Sequence, residues 1–208
     1  LILDEADRML DMGFLDDIQK IISYLPSKRQ NLMFSATMAP KMRKLAKQIL
    51  NQPKSINISL AKPAEGVLQA AYMVYDPQKN ALIHYLLSDK PEYERILIFS
   101  STKRKVGDIV RSLRKEKYSV AGISSDLEQL EREKVLLKFK QKTIRILVAT
   151  DVLSRGVDIK DINLVINYDV PGDAADYVHR VGRTARASTT GVALSLVNQD
   201  DMYKFSRI

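Results

Sequence analysis

Short apolar runs separated by helical patterns constrain this 208-residue chain more than any other feature. One stretch places four apolar residues at the helical spacing i, i+3, i+4 and i+7, namely Val106, Ile109, Val110 and Leu113. The runs that alternate with such stretches are rich in β-branched residues, and this alternation is typical of βαβ units. The sequence therefore predicts an α/β fold with a doubly wound parallel sheet.

Eight of the apolar runs are predicted strands. They cover residues 1–3, 31–34, 70–75, 95–99, 119–123, 145–149, 164–167 and 192–196. Residues 59–66 show little apolar periodicity and end in a glycine, which is typical of a linker. We therefore expect residues 1–58 to be the C-terminal part of one domain and residues 67–208 to be a complete second domain. Because the first residues already lie in a predicted strand, we expect the sequence to be a piece of a longer chain.

Polar clusters follow five of the predicted strands. They are residues 4–7, 35–37, 100–102, 124–126 and 150–151. Ligands of open α/β sheets bind at the carboxyl ends of the strands, so these clusters predict one functional edge on each domain. Polar turn residues are common at strand ends, and for any single cluster this simpler explanation stays open.

Composition narrows the classes of partner. Lys and Arg number 33 against 25 Asp and Glu, and the resulting net charge of +8 favours a polyanionic partner. The absence of cysteine excludes a disulfide scaffold, a thiol nucleophile and a Cys-ligated zinc site. No run approaches the roughly 18 apolar residues of a membrane helix, and no segment resembles a signal peptide.

Asp4 and Glu5 directly follow the first apolar run. A carboxylate in that position can hold Mg²⁺ through its water shell. The neighbouring Glu can orient and deprotonate the water that attacks a γ-phosphate. Acidic pairs also cap helices, so the pair alone leaves both explanations open.

Residues 179–186, His-Arg-Val-Gly-Arg-Thr-Ala-Arg, concentrate three arginines in one short segment. Planar guanidinium groups match phosphate oxygens bidentately, and one aimed at a transferring phosphoryl group would act as an arginine finger. A solvated basic patch, or ion pairs to Asp173 and Asp176, is the alternative explanation.

Four motifs, in their order along the chain, resemble those of the DEAD-box RNA helicases. They are Asp-Glu-Ala-Asp at 4–7, Ser-Ala-Thr at 35–37, and the segments 150–158 and 179–186. The resemblance covers essentially the whole chain and implies a RecA-like, P-loop NTPase helicase core with a partial first domain and a complete second domain. The sequences of segments 153–158 and 167–171 are most similar to those of bacterial members of the RhlE type. The family implies a cytoplasmic, ATP-dependent RNA helicase that uses ATP and Mg²⁺, binds single-stranded RNA and unwinds short duplexes.

The resemblance also implies roles around the nucleotide. Asp4 would coordinate Mg²⁺ through water, and Glu5 would activate the attacking water. Asp158 would contact the ATP ribose, while Arg183 and Arg186 would reach the γ-phosphate from the second domain.

Two further sets of residues follow from the resemblance. The set that would couple the nucleotide site to the RNA site comprises Asp7, Ser35, Thr37, Arg155 and His179. The set at the family's RNA-backbone positions comprises Phe99, Thr102, Gln129, Arg132, Thr150 and Gly156. Arg155 would also bridge the two domains in their closed state.

The residues themselves support part of the RNA set. Lys103, Arg104 and Lys105 open a predicted helix, where cations oppose the macrodipole and a docked phosphate would offset the cost. Exposure of all three side chains to solvent is the alternative. Gln129 and Arg132 share a helix face, where a surface hydrogen bond between them is the simpler explanation.

The chain departs from the family pattern at several points. Ser124 and Ser125 stand where many members have His-Gly, and Ala185 replaces a commoner glycine. No G-x-x-x-x-G-K-[ST] phosphate loop occurs in the sequence, so we expect these residues alone not to hydrolyse ATP at a useful rate. An RNA-binding scaffold without catalysis and a DNA-directed helicase stay open as alternatives, and no protein partner is predicted.

Overall fold

A computed structural model describes residues 1–57, 66–124, 126–151, 162–184 and 191–208. The chain divides into two compact units, Leu1–Leu60 and Ala61–Ile208. Each unit has its own parallel sheet and its own hydrophobic core. The segment predicted as a linker, 59–66, lies outside the described residues except for Gly66.

The first unit has a two-stranded parallel sheet and three helices. The strands are β1 (Ile2–Leu3) and β2 (Leu32–Met33), and the helices are α1 (Ala6–Asp11), α2 (Leu15–Ser23) and α3 (Pro40–Ile49). Apolar residues at helical spacing in α2 and α3 face the sheet and form a core of Leu3, Ala6, Ile18, Met42, Leu45 and Ile49. Because the two strands are parallel, the loops that follow them begin at the same edge.

The described residues of the second unit form a six-stranded parallel sheet with flanking helices. Its strands are β3 (Val67–Met73), β4 (Ile96–Phe99), β5 (Val120–Ile123), β6 (Ile146–Ala149), β7 (Leu164–Asn167) and β8 (Gly191–Val197). Its helices are α4 (Lys79–Leu87), α5 (Lys103–Lys115), α6 (Gln129–Lys140), α7 (Ala174–Val181) and α8 (Met202–Phe205), with a 3₁₀ turn at Asp76–Gln78. The strand order is β3-β8-β7-β4-β6-β5.

Hydrophobic cores lie on both faces of this sheet. Alternate residues of β4 face opposite ways, so that Ile96 and Ile98 belong to one core and Leu97 and Phe99 to the other. Helices α4 and α5 contribute to the first core, and α6 contributes Phe139 to the second. The predicted doubly wound α/β fold is therefore confirmed.

Helix α5 packs closely against β5. Its four predicted apolar residues, Val106, Ile109, Val110 and Leu113, are all buried. A Cβ added at Gly122 would lie 2.9 Å from Val106 Cγ1 and 3.1 Å from Val110 Cγ2. A larger residue at Gly122 would push α5 off the sheet, so this position needs glycine for close approach.

Among the predicted strands, the one at 70–75 differs most from the structure. Strand β3 begins at Val67 rather than residue 70, because its limits follow its pairing with β8 and six of its seven residues are exposed. Among the helices that the structure describes, none is long and apolar enough to cross a membrane.

Candidate functional site

The loop between β1 and α1 presents two carboxylates to solvent. Asp4 and Glu5 are both exposed, and Asp4 Oδ1 accepts a hydrogen bond from the Glu5 amide at 2.9 Å. Glu5 has φ 49° and ψ 42°, in the left-handed region that non-glycine residues adopt rarely. It occupies the N-cap position of α1, but its side chain makes no cap hydrogen bond within the described part of the chain. The capping explanation therefore does not account for the Glu5 side chain.

Asp7 joins the loop after β1 to the loop after β2. Its Oδ2 accepts hydrogen bonds from the backbone amide and from Oγ1 of Thr37, both at 2.9 Å. Ser35 Oγ donates to the Thr37 carbonyl at 2.6 Å. Partial burial would by itself raise the pKa of Asp7, but the hydrogen bonds from Thr37 hold that pKa below its ordinary value. The structure thus brings together three of the predicted coupling residues around one ionised carboxylate.

The carboxyl ends of β6, β4 and β7 lie side by side in the second unit. Phe99, the last residue of β4, pairs with Ala149 on one side and Asn167 on the other. The predicted polar clusters at 100–102 and 150–151 therefore begin at the same edge. A third polar group, residues 167–169, lies next to them at the end of β7.

A buried guanidinium, that of Arg180 in α7, links these three strand ends. Its Nε and Nη2 donate to the two carboxylate oxygens of Asp151, each at 2.7 Å. Nη1 donates to Asn167 Oδ1 at 3.1 Å and to the Asp169 carbonyl at 2.8 Å. The guanidinium also lies 5.0 Å from the centroid of the Phe99 ring, within cation–π range. Arg180 is 4% exposed, so it is neither part of a solvated patch nor open to a ligand.

The rest of the arginine segment differs from Arg180. Asp173, a predicted ion-pair partner in the alternative explanation, instead caps α7 by accepting a hydrogen bond from the Asp176 amide at 2.8 Å. His179 and Arg183 are half-buried, so part of each side chain reaches solvent. Among the predicted site residues of this segment that the structure describes, these two have side-chain surface that a ligand could contact.

Asp169 is a second buried charge at the same edge. Its Oδ2 accepts hydrogen bonds from Ser100 Oγ at 3.0 Å and from the Ser101 amide at 2.7 Å. Its Oδ1 accepts from Lys105 Nζ at 2.6 Å. Burial would raise the pKa of Asp169, but the hydrogen bonds from Lys105 and Ser101 outweigh it and hold that pKa below its ordinary value. The ionised carboxylate therefore fixes the loop between β4 and α5.

The cations at the start of α5 have different environments. Thr102 is the N-cap, and its Oγ1 accepts a hydrogen bond from the Lys105 amide at 3.2 Å. Lys105 reaches inward to Asp169, whereas Lys103 pairs with Asp126 at 2.7 Å on the surface. The alternative in which all three basic side chains point into solvent is therefore wrong for Lys105.

Lys79 also lies at this edge of the second unit, where the sequence motifs did not place it. It is fully buried at the start of α4, and its Nζ donates to the Tyr168 carbonyl at 2.8 Å. Nζ also lies 2.9 Å from Asp76 Oδ1 and 3.9 Å from carboxylate oxygens of Asp169 and Asp201. Burial and the nearby Asp169 charge raise the pKa of Tyr168 to about 12. Lys79 falls on the same helical stripe as the buried Ile83 and Leu87, which was the available signal.

The predicted RNA set is only partly on the surface. Thr102 is exposed and Thr150 is half-buried, but Phe99 is 2% exposed and offers no side-chain surface to RNA. Arg132 Nη1 donates to Gln129 Oε1 at 3.2 Å, so the simpler surface hydrogen bond does form. RNA contact by these residues stays a prediction, and for the Phe99 side chain we expect a supporting role only.

Several predicted residues lie outside the described part of the chain. They are Arg155, Gly156, Asp158, Ser125, Ala185 and Arg186. Their roles stay predictions.

Two protein-family models match this chain. The model for the helicase conserved C-terminal domain matches residues 78–188, and the model for DEAD/DEAH box helicases matches residues 1–45. The first match alone covers more than half of the chain. The chain belongs to the DEAD-box RNA helicase family. The predicted family is therefore confirmed.

Curated relatives of this chain come from bacteria and eukaryotes. The DEAD-box ATP-dependent RNA helicase CshA of Geobacillus kaustophilus is 40% identical over 208 residues, which are 100% of this chain and 44% of the relative. The ATP-dependent RNA helicase DBP2 of Saccharomyces cerevisiae is 43% identical over 206 residues, 97% of this chain and 38% of the relative. The chain thus spans about two-fifths of the length of these relatives. The RhlE subtype stays a prediction.

Solved structures agree with the RecA-like helicase fold. Yeast Dbp5 bound to RNA and ADP BeF3 superimposes with a TM-score of 0.87 at 30% identity, covering 99% of this chain and 55% of that one. A DEAD box protein from Methanococcus jannaschii gives a TM-score of 0.65 at 40% identity, covering 99% of this chain and 55% of that one. The predicted RecA-like fold class is confirmed.

Proposed function

We propose that the intact protein is an ATP-dependent RNA helicase, which binds single-stranded RNA and separates short duplexes as it hydrolyses ATP. One observation supports this most directly. Asp4 and Glu5 are exposed at the end of β1, while the adjacent Asp7 is engaged by Thr37. Carboxylates exposed at the end of a parallel strand lie where α/β proteins bind ligands, and so they are placed for chemistry on a bound nucleotide.

The two units would form parts of two domains. Residues 1–58 would be the C-terminal part of the ATP-binding domain, and residues 67–208 the second RecA-like domain, joined by 59–66. Helicases of this kind close two domains on ATP and RNA, so the chemistry would need both. We place this activity in the cytoplasm, where ATP and RNA substrates meet.

Mg²⁺ would be held by Asp4. This ion keeps several waters and takes one or two carboxylates, together with phosphate oxygens. The exposed Asp4 carboxylate fits that preference. The described residues contain no group of three or more metal-ligating side chains, a pattern compatible with an ion bound mainly through water and phosphate. Bound Mg²⁺ would neutralise charge on the phosphates.

Glu5 and Arg183 would act on the γ-phosphate from the two domains. Glu5 would accept the proton of the attacking water. Arg183, half-buried after the end of α7, would stabilise the charge that develops on the phosphoryl oxygens, as would Arg186. Asp158 would bind the ribose. Asp7, Ser35, Thr37, His179 and Arg155 would connect this site to RNA.

RNA would bind across the carboxyl edge of the second unit. Backbone amides in the first turn of a helix favour a phosphate, and Thr102 and Lys103 lie at the start of α5 in exposed positions. Thr150, Gln129 and Arg132 would extend the surface. Contacts of this kind are made to phosphates and 2′-hydroxyls, so we expect little sequence preference.

The substitution Glu5→Gln in the intact protein tests the proposal. We expect kcat for RNA-stimulated ATP hydrolysis to fall by about 10²–10⁴-fold, because the general base is lost. RNA retention in the presence of ATP should persist, because Gln keeps the shape of the side chain. The matched control is Glu92→Gln, an exposed glutamate of the second unit, which should leave kcat unchanged.

Three outcomes are informative. A near-wild-type kcat in the Glu5→Gln protein would remove Glu5 from its proposed role. RNA binding without RNA-stimulated ATP hydrolysis in the unmodified intact protein would instead favour the scaffold alternative. Stronger stimulation by single-stranded DNA than by RNA would favour a DNA-directed helicase.

A further inference from the structure

Arg180 is surrounded by residues that come from distant parts of the chain. Its side chain is 4% exposed, and that of its partner Asp151 is 23% exposed. The two hydrogen bonds between them form a bidentate pair, with both distances 2.7 Å. The remaining amine donates to Asn167 and to the Asp169 carbonyl. A guanidinium so fully engaged cannot turn toward a ligand without breaking four hydrogen bonds.

The partners of Arg180 lie at the strand ends that carry predicted RNA-contacting residues. Asp151 directly follows Thr150 at the end of β6. Phe99, whose ring lies under the guanidinium, ends β4 and precedes the loop to Thr102. The same loop is fixed by Asp169 through Ser100 and Ser101. Arg180 therefore sets the relative positions of the two strand ends that carry Thr102 and Thr150.

Arg180 also anchors the backbone next to Arg183. The Arg183 amide donates to the Arg180 carbonyl at 3.1 Å. On the other side of Arg183, the buried Thr184 donates from Oγ1 to the Ile162 carbonyl at 2.7 Å. A Cβ at Gly191 would lie 2.4 Å from Thr184 Oγ1, so the fit of Thr184 is tight. Arg183 is thus placed between two buried attachment points.

We infer that Arg180 is a positioning residue, which joins the RNA-contacting ends of β4 and β6 to the segment that presents Arg183. This inference rests on the proposed function and adds to it a physical connection within the second unit. RNA bound at Thr102 and Thr150 would stabilise the arrangement of the strand ends around Arg180. That arrangement in turn fixes Arg183 for the γ-phosphate, so RNA binding and ATP turnover are coupled through one buried guanidinium.

Lysine is the informative replacement for Arg180. It retains the positive charge, but a single ammonium group cannot make the planar two-point contact with Asp151. Asn167 and the Asp169 carbonyl would also lose a donor. A shift of about 1 Å in a catalytic group can lower a rate by about 100-fold, so a small movement of Arg183 would be measurable.

The test is a double-mutant cycle in the intact protein, with Arg180→Lys and Arg183→Ala made singly and together. Single-turnover ATP hydrolysis is measured with the protein and RNA at saturating concentrations and in excess over ATP. We expect Arg180→Lys to lower the rate by about 10–100-fold when Arg183 is present. In the Arg183→Ala background its effect should be less than about threefold, because the group that it positions is gone. Arg111→Lys is the control, since Arg111 is exposed and pairs with Asp108 on the same helix, α5.

A second double-mutant cycle distinguishes the positioning effect from a loss of folding. Asp151→Asn keeps the size of the side chain and weakens the pair from the other partner, and it should show the same dependence on Arg183. Thermal unfolding of each variant monitors stability. Equal rate losses in both backgrounds, for both cycles, would mean a general structural effect and would overturn the inference.

The proposed function can fail separately. If the unmodified intact protein shows no RNA-stimulated ATP hydrolysis, the proposed function is overturned and this inference falls with it. If stimulation is present but Arg180→Lys and Asp151→Asn are additive with Arg183→Ala, only the inference is overturned.

Discussion

The two units use charge at their strand ends in opposite ways. In the first unit, Asp4 and Glu5 form an exposed acidic edge at the end of β1. In the second unit, Arg180 and Asp169 are each 4% exposed and form a buried polar cluster with Asp151 and Asn167. Both sets lie at the carboxyl ends of parallel strands, the edge where α/β proteins bind ligands. The difference is therefore one of burial and not of position in the fold.

This difference separates two tasks. An exposed carboxylate keeps its water and can exchange that water for a metal or a reacting group. A buried charge is stable only while its partners remain in place, so it fixes the geometry of the loops that supply those partners. Asp7, which is engaged by Thr37, shows that the first unit also uses one charge for positioning.

The largest expected effect concerns Arg183, the half-buried arginine that follows Arg180 in the same segment of the second unit. Arg183→Ala in the intact protein should lower kcat for RNA-stimulated ATP hydrolysis by about a thousandfold or more, as for loss of an arginine finger. RNA affinity, measured by fluorescence anisotropy, should change far less. Arg111→Ala is the matched control. A large loss of RNA affinity with little change in kcat would make Arg183 an RNA ligand.

Asp169 and Asp126 offer a direct comparison of burial, because each pairs with a lysine at the start of α5. Lys105 Nζ lies 2.6 Å from Asp169 Oδ1, and the Asp169 side chain is 5% exposed. Lys103 Nζ lies 2.7 Å from Asp126 Oδ1, and the Asp126 side chain is 62% exposed. Asp169→Ala should lower the free energy of unfolding of the second unit by about 3–5 kcal/mol, because it leaves buried donors unpaired. Asp126→Ala should lower it by about 0–1 kcal/mol.

Hydrogen exchange of amides in the second unit, measured in the intact protein, gives these two stabilities. Equal effects of Asp169→Ala and Asp126→Ala would contradict the distinction between the buried cluster and the surface.

A smaller effect is expected for Thr37 in the first unit. Thr37→Val removes the hydroxyl hydrogen bond to Asp7 but retains the amide bond, so stability should fall by about 1 kcal/mol. The pKa of Asp7 should rise toward its ordinary value, because one of the hydrogen bonds that lower it is lost. NMR titration of the Asp7 carboxyl measures the pKa. Thr143→Val, an exposed threonine of the second unit, is the control; an unchanged Asp7 pKa would show that the Thr37 hydroxyl is unimportant there.

The smallest expected effect is a change in acid sensitivity. The pKa of Asp169 is lowered in the folded protein, so its ionised form stabilises that state. This contribution is complete above the ordinary aspartate pKa of about 3.9 and is lost as pH falls through the lower folded value. Urea unfolding between pH 7 and pH 3 should therefore show a shallower acid decline for Asp169→Asn than for the wild type. An identical decline would mean that folding does not lower the pKa of Asp169.

Local patterns predicted most of the fold. The strand predicted at 164–167 matches β7 residue for residue, and the stripe Val106, Ile109, Val110 and Leu113 is buried as its spacing indicated. The limits of strand β3 were predicted less accurately, because six of its seven residues are exposed and its limits follow its pairing with β8. The limits of a strand that is buried in the core follow from its own apolar residues. The limits of the exposed strand β3 follow instead from its pairing with β8.

The candidate site was only partly predictable. The motifs located the acidic edge and the arginine segment, and the contacts between Asp7, Ser35 and Thr37 follow from two parallel strands. The motifs did not reveal that the side chains of Phe99 and Lys79 are buried inside the second unit.

The amino-acid order by itself determined the α/β alternation, the polar strand ends and the family, because these depend on residues within one strand or one helical turn. The tertiary structure decided which charges are buried. The bonds from Arg180 to Asp151, from Lys105 to Asp169 and from Lys79 to Tyr168 span 29, 64 and 89 residues. These partners meet because β7 lies between β8 and β4 in the sheet, an order that local spacing does not encode.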